Sequence, residues 1–142
     1  MNAQEHLPPQ PPIRKTFPKE ERLHHKKLID ELFGKGSSFL VYPFKVVHHF
    51  TPANQPKKVQ ALVVVPKRAF KKAHDRNRLK RQIKEAYRHE KHRIGVLPKK
   101  EQVNLVAFIY VAKEKLPFST IQKKLSLALD RLVSTDNALR TP

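Results

Sequence analysis

The sequence predicts an α+β fold with elements in the order α-β-β-β-α-β-α, arranged as a two-layer sandwich with one mixed sheet. Three observations support this prediction. Some segments carry apolar residues at helical spacing, and others carry runs of branched and aromatic residues between prolines and polar turns. The 142 residues also suffice for one modest hydrophobic core.

The N-terminal segment, residues 1–19, holds five of the 12 prolines and few apolar residues. It is expected to be a disordered or polyproline-like tail. Apolar residues at helical spacing then predict a first helix from Glu20 to Phe33. Gly34 and Gly36 are expected to end this helix.

Three β segments are predicted next, at about residues 38–42, 44–51 and 59–65. In the second segment Phe44 and Val46 alternate with Lys45 and Val47, which predicts a core face and a wetter face. The PANQPKK sequence after it is typical of a hairpin connection. The third segment contains the apolar run ALVVV, which is typical of a strand in the middle of a sheet, as is VNLVAFIYV at 103–111.

The two remaining helices lie on either side of that last strand. A strongly basic helix is predicted from about Asp75, a plausible N-cap, to Arg93. An amphipathic helix is predicted from Phe118 to Val133. The folded domain is therefore expected to span residues 20–134, and residues 135–142 are expected to be frayed.

Positive charge is concentrated in the basic helix and just before it. From Lys67 to Arg93 there are 12 Lys or Arg against three acids, a net charge of +9 and half of the chain's +18. A solvated helix normally interleaves acids with its bases, whereas this segment has few acids, so its surface favours a polyanionic partner. A polyphosphate gains the most binding free energy from the release of counterions. The candidate contacts are Lys67, Arg68, Lys71, Lys72, Arg76, Arg78, Lys80, Arg81, Lys84 and Arg88.

Composition excludes several other classes. The chain has no Cys, which excludes disulfides, thiolate catalysis and Cys-type zinc sites. No apolar run approaches the roughly 20 residues of a membrane span, and the N-terminus lacks the features of a signal peptide, so a cytoplasmic protein without a membrane partner is expected. His89 and His92 have a spacing that could hold a metal, but they lie among cations and are interpreted as solvated.

Catalytic and DNA-binding patterns are also missing from the sequence. We find no Gly-rich phosphate loop and no convergent acid, base or metal cluster, so no protein active site is expected. A basic helix could enter the major groove of DNA, but there is no heptad zipper to form a dimer. Folded or A-form RNA, bound through its shape and phosphates, is the better match, and DNA is not expected as a partner.

The segment AHDRNRLKRQIKEAYR at 73–88 resembles the signature of the bacterial ribonuclease P protein subunit, A-x-x-R-N-R-x-K-R-x-x-R-E. It is preceded by VVVPKR and followed by a hydrophobic strand, and the resemblance extends from Arg22 to about Val133. The matching residues are Arg76, Asn77, Arg78, Lys80, Arg81 and Glu85. Lys84 replaces the more usual Arg, which keeps the charge but loses the planar guanidinium.

The resemblance implies a protein subunit that assists a catalytic RNA in removing the 5′ leader from precursor tRNA. In that family the RNA and its Mg²⁺ ions perform the hydrolysis, so the chain alone is expected to bind no cofactor or metal and to contain no catalytic residue. The resemblance adds Asn77 to the RNA contacts and implies a left-handed β-α-β crossover. It also implies a cleft for the single-stranded leader, formed by Ile29, Phe33, Lys45 and Val47. The alternative is a non-catalytic ribosomal or RNA-chaperone protein.

Overall fold

The computed structural model describes residues 17–49, 59–95 and 105–140. Within them, a 3₁₀ helix at Lys19–Glu21 is followed by α1 Lys26–Lys35, β1 Ser37–Val41, β2 Phe44–His49, β3 Gln60–Val64, α2 Ala73–Glu90, α3 His92–Gly95, β4 Leu105–Tyr110 and α4 Phe118–Arg140. The strands form a four-stranded sheet with antiparallel and parallel pairs. The predicted α+β fold with one mixed sheet is therefore confirmed.

The sheet has the strand order β1-β2-β4-β3. The pairs β1-β2 and β2-β4 are antiparallel, whereas β3 runs parallel to β4. The expectation that the second and third strands form a hairpin is wrong, because β4 lies between them; the PANQPKK segment, residues 52–58, is outside the described residues. A parallel neighbour requires a crossover connection, and α2 lies in the connection from β3 to β4. The left hand of this crossover stays a prediction.

The apolar run ALVVV lies at the edge of the sheet and not in its middle, so that expectation is wrong. Its outer edge is covered by the chain before α1, where the Leu23 amide donates to the Ala61 carbonyl at 2.9 Å and Arg22 pairs with Ala61 in a parallel bridge. A covered edge can be as apolar as a central strand. The other apolar run forms β4, whose predicted central position is confirmed.

The pairing with β3 also shortens the first helix. A helix from Glu20 was expected, but Arg22 and His25 have extended backbone angles and α1 begins at Lys26. Leu23 is 2% exposed, so this segment is anchored by burial and strand-like pairing, which a helix could not provide. At its other end α1 includes Gly34 and ends at Lys35.

The folded unit begins before the predicted boundary at residue 19. The ring of Phe17 lies edge-on to Tyr87 with centroids 5.3 Å apart, and Arg22 Nε donates to the Phe17 carbonyl at 2.9 Å. Lys91 Nζ lies 2.6 Å from Glu21 Oε1, which ties the 3₁₀ helix to the end of α2. Residues 17–19 thus belong to the fold, and the tail prediction for residues 1–16 lies outside the described residues.

The other helices also differ from their predicted limits. α2 runs from Ala73 to Glu90, so Asp75 lies in its first turn and does not cap it; the Asp75 carboxylate is bound to Lys115. Arg93 lies in the separate helix α3. α4 continues past Val133 to Arg140, and the expected fraying of residues 135–142 stays a prediction. Residues 141–142 lie outside the described residues.

The larger core lies between one face of the sheet and helices α2 and α4. Its most buried side chains, each at most 1% exposed, come from β2, β4 and both helices: Phe44, Val46, Val106, Phe108, Tyr110, Leu79, Ile83, Tyr87, Ile121, Leu125 and Leu129. The aromatic rings of Phe44, Tyr87 and Phe108 make edge or tilted contacts within this core. The core thereby fixes which side of α2 faces solvent.

A smaller core lies on the opposite face of the sheet, beneath α1. It contains Leu23, Leu32, Val47, Leu105 and Ala107. Successive side chains of a strand point to opposite faces, so these strand residues lie across the sheet from the larger core. The sheet therefore carries α2 and α4 on one face and α1 on the other. Val47, expected on a wetter face, is 6% exposed because α1 covers it.

Two glycines at the end of α1 provide a matched test of this packing. A methyl group at Gly36 would collide with the carbonyl oxygens of Leu32 and His48, whereas a methyl group at Gly34 would meet no atom within 4 Å. We expect Gly36→Ala to lower the free energy of unfolding by about 1–3 kcal/mol through overpacking. Gly34→Ala should instead raise it by up to about 1 kcal/mol, because Ala loses less backbone entropy in a helix. Denaturant unfolding measures the change in the free energy of unfolding for both variants. Equal changes would contradict the close contact of Gly36 with the carbonyl oxygens of Leu32 and His48.

Candidate nucleic-acid interface

Helix α2 separates its apolar side chains from its basic ones. Leu79, Ile83, Ala86 and Tyr87 are buried, at spacings of three and four residues that place them on one face of the helix. The remaining arc is exposed or half-buried and holds six of the candidate contacts: Asn77, Arg78, Lys80, Arg81, Lys84 and Arg88. The structure thus brings these sequence-predicted residues together on one surface.

Four of these cations have no internal partner. Arg78, Lys80, Arg81 and Lys84 form no hydrogen bond or ion pair with any residue that the structure describes. Because like charges on neighbouring turns of a helix repel one another, this arrangement costs stability in the isolated chain. An anionic partner would remove that cost.

The acids of α2 do not neutralise these four cations, because other bases occupy them. Asp75 Oδ1 accepts a hydrogen bond from Lys115 Nζ at 2.7 Å, and Glu85 Oε2 accepts one from Arg88 Nε at 3.0 Å. The hydrogen bond from Lys115 holds the pKa of Asp75 below its usual range. The hydrogen bond from Arg88 does the same for the pKa of Glu85. Both carboxylates therefore stay ionised and engaged.

Arg88 differs from the other candidate contacts in being paired within its own helix. Two of its guanidinium nitrogens bind the Glu85 carboxylate, and the same bond raises the pKa of Arg88. His89 Nε2 lies 3.1 Å from Glu85 Oε1 and completes this cluster. Any contact between Arg88 and an anion would therefore compete with Glu85.

The turn between β3 and α2 extends the basic surface toward the sheet. We call residues 67–72 the basic turn; its four cations, Lys67, Arg68, Lys71 and Lys72, are all exposed. Phe70 anchors the turn, because its side chain is 7% exposed and packs in the larger core. The buried ring directs the neighbouring cations to solvent.

Arg76 fixes the basic turn from the first part of α2. Its Nη1 donates to the Phe70 carbonyl at 2.8 Å and to the Lys71 carbonyl at 2.9 Å. The Arg76 guanidinium is therefore bound to the protein's own backbone. Sequence reasoning grouped Arg76 with the surface cations. Only the tertiary structure shows that its side chain points back toward the basic turn.

The sheet contributes a second candidate surface on the side of α1. Strand pairing aligns one row across all four strands: Leu40, Lys45, Ile109 and Val64. Phe33 is 45% exposed and lies at the end of α1, whereas Ile29 is half-buried against the smaller core. We call Phe33 and this row the cleft surface. Val47 lies beneath it as a buried neighbour of Lys45.

Leu40 is an apolar member of this surface that sequence reasoning missed. It is 57% exposed, whereas its neighbours Phe39 and Val41 pack against the larger core. The alternation of side chains along a strand could have indicated this position, because two residues facing the core leave the residue between them on the other face.

No metal site or membrane span is found in the part of the chain that the structure describes. Residues 17–49, 59–95 and 105–140 contain no cluster of three His, Cys, Asp or Glu side chains that could hold a metal ion. His89 is occupied with Glu85. No helix in the same residues is long and apolar enough to cross a membrane.

Arg76→Ala tests the structural role of this side chain. Loss of two charged hydrogen bonds to backbone should lower the free energy of unfolding by about 1–2 kcal/mol and speed amide exchange in the basic turn. Arg78→Ala is the matched control, because Arg78 has no described partner and should change stability by at most about 0.5 kcal/mol. Denaturant unfolding and hydrogen exchange give both readings. If the two variants behave alike, Arg76 does not fix the turn.

Comparison with known proteins gives concordant results for sequence and fold. The Ribonuclease P family model matches residues 17–133. The protein named Ribonuclease P protein component from Porphyromonas gingivalis ATCC 33277 is 36% identical over 115 residues, which cover 80% of this chain and 84% of that protein. The protein of the same name from strain W83 has the same identity and coverage.

Two solved structures have the same fold. The RNase P protein from Thermotoga maritima is 29% identical, with a TM-score of 0.62 over 78% of this chain and 96% of that chain. The Staphylococcus aureus RNase P protein is 21% identical and shares the fold, with a TM-score of 0.63 over 80% and 97% of the two chains. The chain thus belongs to the ribonuclease P protein family, as a subunit of the tRNA-processing endonuclease in which the RNA performs the catalysis.

Proposed function

We propose that this chain binds the catalytic RNA of ribonuclease P through α2 and the basic turn, and the 5′ leader of precursor tRNA through the cleft surface. The observation that supports this most directly is the set of four cations on α2 that have no partner among the residues that the structure describes. A polyanion is the partner that would relieve their mutual repulsion, and a folded RNA offers closely spaced phosphates. Because precursor tRNA in bacteria is made in the cytoplasm, the proposed complex acts there.

The proposed RNA contacts fall into two groups with different roles. Direct contacts are assigned to the exposed cations and the asparagine: Lys67, Arg68, Lys71, Lys72, Asn77, Arg78, Lys80, Arg81 and Lys84. Arg76 supports the basic turn through its two backbone hydrogen bonds. Arg88 contributes charge at the edge of the surface, where Glu85 holds its orientation.

Magnesium enters this proposal as an ion of the ribonucleoprotein. The described residues offer no cluster of ligands for it, and the exposed face of α2 would repel a divalent cation. Cationic side chains that neutralise phosphates do part of the work that free Mg²⁺ otherwise does in a folded RNA. The protein should therefore lower the Mg²⁺ concentration that the RNA requires.

The cleft surface combines the properties that a single-stranded leader requires. Lys45 supplies a positive charge in a row that otherwise consists of Leu40, Ile109 and Val64. Phe33 supplies an exposed aromatic ring on which an unpaired base can stack. Ile29 and Val47 are half-buried and buried, so they support this surface from below.

Reconstitution with bacterial ribonuclease P RNA and precursor tRNA tests the proposal. The wild-type chain should allow leader removal at a Mg²⁺ concentration too low for the RNA alone, and the purified chain without RNA should not cleave. In Arg78→Ala/Arg81→Ala, loss of two phosphate contacts should make the dependence of log K on log salt less steep by about 1.5. Filter binding over a salt series and cleavage over a Mg²⁺ series measure these effects.

The control removes the same charge from another helix. Lys26→Ala/Lys27→Ala changes two exposed residues at the start of α1, and it should bind the catalytic RNA as the wild type does. Equal losses in the two double variants would mean that net charge, and not the α2 surface, governs binding. RNA binding without any effect on leader removal would favour a ribosomal or RNA-chaperone role.

Phe33→Leu tests the leader contact separately. Leucine keeps most of the apolar surface and removes the aromatic face, so affinity for a long-leader precursor should fall about fivefold or more if a base stacks there. Affinity for a leaderless substrate should not change. Competition binding with the reconstituted complex makes the comparison. Equal affinities of wild type and variant for the long-leader substrate would leave Phe33 as a packing residue of α1.

A further inference from the structure

A groove between α2 and the segment that leads into α4 lies beside the basic surface. It has a volume of about 470 Å³ and is lined by Arg78, Arg81, Gln82, Glu85 and Phe118. A second compartment of about 360 Å³ shares the lining residues Arg78, Gln82 and Phe118 and is also lined by Lys115, Leu116 and Pro117. The larger compartment is open to solvent along α2, so a segment of a longer ligand could enter it.

The wall opposite α2 is held in place before any ligand binds. The Tyr110 hydroxyl donates to the Glu114 carbonyl at 2.6 Å and accepts from the Leu116 amide at 3.1 Å. Lys115 is tied to Asp75 at the start of α2 by an ion pair of 2.7 Å. A preformed wall reduces the entropy lost when a ligand is bound.

The groove combines three chemical functions that are not used within the described fold. The Arg78 and Arg81 guanidinium groups and the Gln82 amide form no hydrogen bond or ion pair with any described residue. The ring of Phe118 is half-buried at the edge of the larger core, which leaves part of it to the groove. The only acid among these lining residues, Glu85, is engaged by Arg88 and His89.

We infer that this groove binds one unpaired nucleotide of an RNA, with its phosphate at Arg78 and Arg81 and its base against Phe118. Guanidinium groups bind phosphate oxygens through paired N–H groups, aromatic rings stack on bases, and an amide can bond to a base edge. A paired nucleotide is excluded, because its base faces are already stacked in the helix. An acidic peptide would satisfy the guanidinium groups but would make no use of the ring.

This inference rests on the proposed RNA-binding function and adds a base pocket to it. The α2 surface alone requires only phosphate contacts, which carry no preference for an unpaired base. The groove predicts such a preference, and it assigns roles to Gln82 and Phe118, which lie outside the charged motif.

Titration of the full-length chain with small probes tests the groove directly. Adenosine 5′-monophosphate should shift the amide resonances of Gln82 and Phe118 and bind about fivefold or more tightly than ribose 5-phosphate, which lacks the base. Phe118→Leu should abolish this difference and keep ribose 5-phosphate binding. Lys123→Ala, a change on the exposed part of α4, should behave as wild type. Equal affinity of the wild type for the two probes would overturn the inference.

Binding of the catalytic RNA separates this inference from the proposed function. Phe118→Leu and Gln82→Ala should each weaken RNA binding without changing its salt dependence, and thermal unfolding shows whether each variant is folded. If Arg78→Ala/Arg81→Ala weakens binding but folded Gln82→Ala and Phe118→Leu do not, the RNA surface stands and the base pocket is wrong. If none of the three variants weakens RNA binding, both the base pocket and the proposed RNA-binding function are wrong.

Discussion

The structure depends on the burial of one face of α2 against the larger core. Leu79, Ile83 and Tyr87 are at most 1% exposed, and each apolar side chain removed from water in this way contributes about 1.5–3 kcal/mol. That contribution exceeds the few tenths of a kcal/mol expected from each like-charge pair on the outer face. The hydrophobic contact therefore holds the cations together on one rigid surface although they repel one another.

The remaining ion pairs leave the cations on the outer face of α2 available to a partner. Asp75 is bound to Lys115, and Glu90 and Asp130 are both bound to Arg93. These contacts join α2 and α3 to α4 and to the segment before it, so Asp75 and Glu90, the two acids of α2 among them, are engaged by Lys115 and Arg93. Exposed ion pairs contribute little stability individually, and their consequence here is mainly the charge distribution.

The two faces of the sheet differ in how far helices cover them. α2 and α4 pack against one face, whereas α1 covers part of the other, on which the row of Leu40, Lys45, Ile109 and Val64 lies. Three of the four side chains in this row are apolar and the fourth is Lys45, and apolar side chains beside a cation are the kind of surface on which unpaired bases stack.

The sequence by itself determined the fold class, the central position of β4 and the basic helix, because local periodicity and charge density are properties of neighbouring residues. It also indicated the family through the block from Arg76 to Arg81. Only the tertiary structure decided that ALVVV lies at a sheet edge covered by Leu23, that α1 buries Val47, and that Arg76 turns back to the basic turn. Those three outcomes depend on contacts between residues that are distant in sequence, or on the direction of one side chain, and neither is encoded in a local pattern. The groove beside Phe118 has the same origin, since its walls come from α2 and from the segment that leads into α4, which only packing brings together.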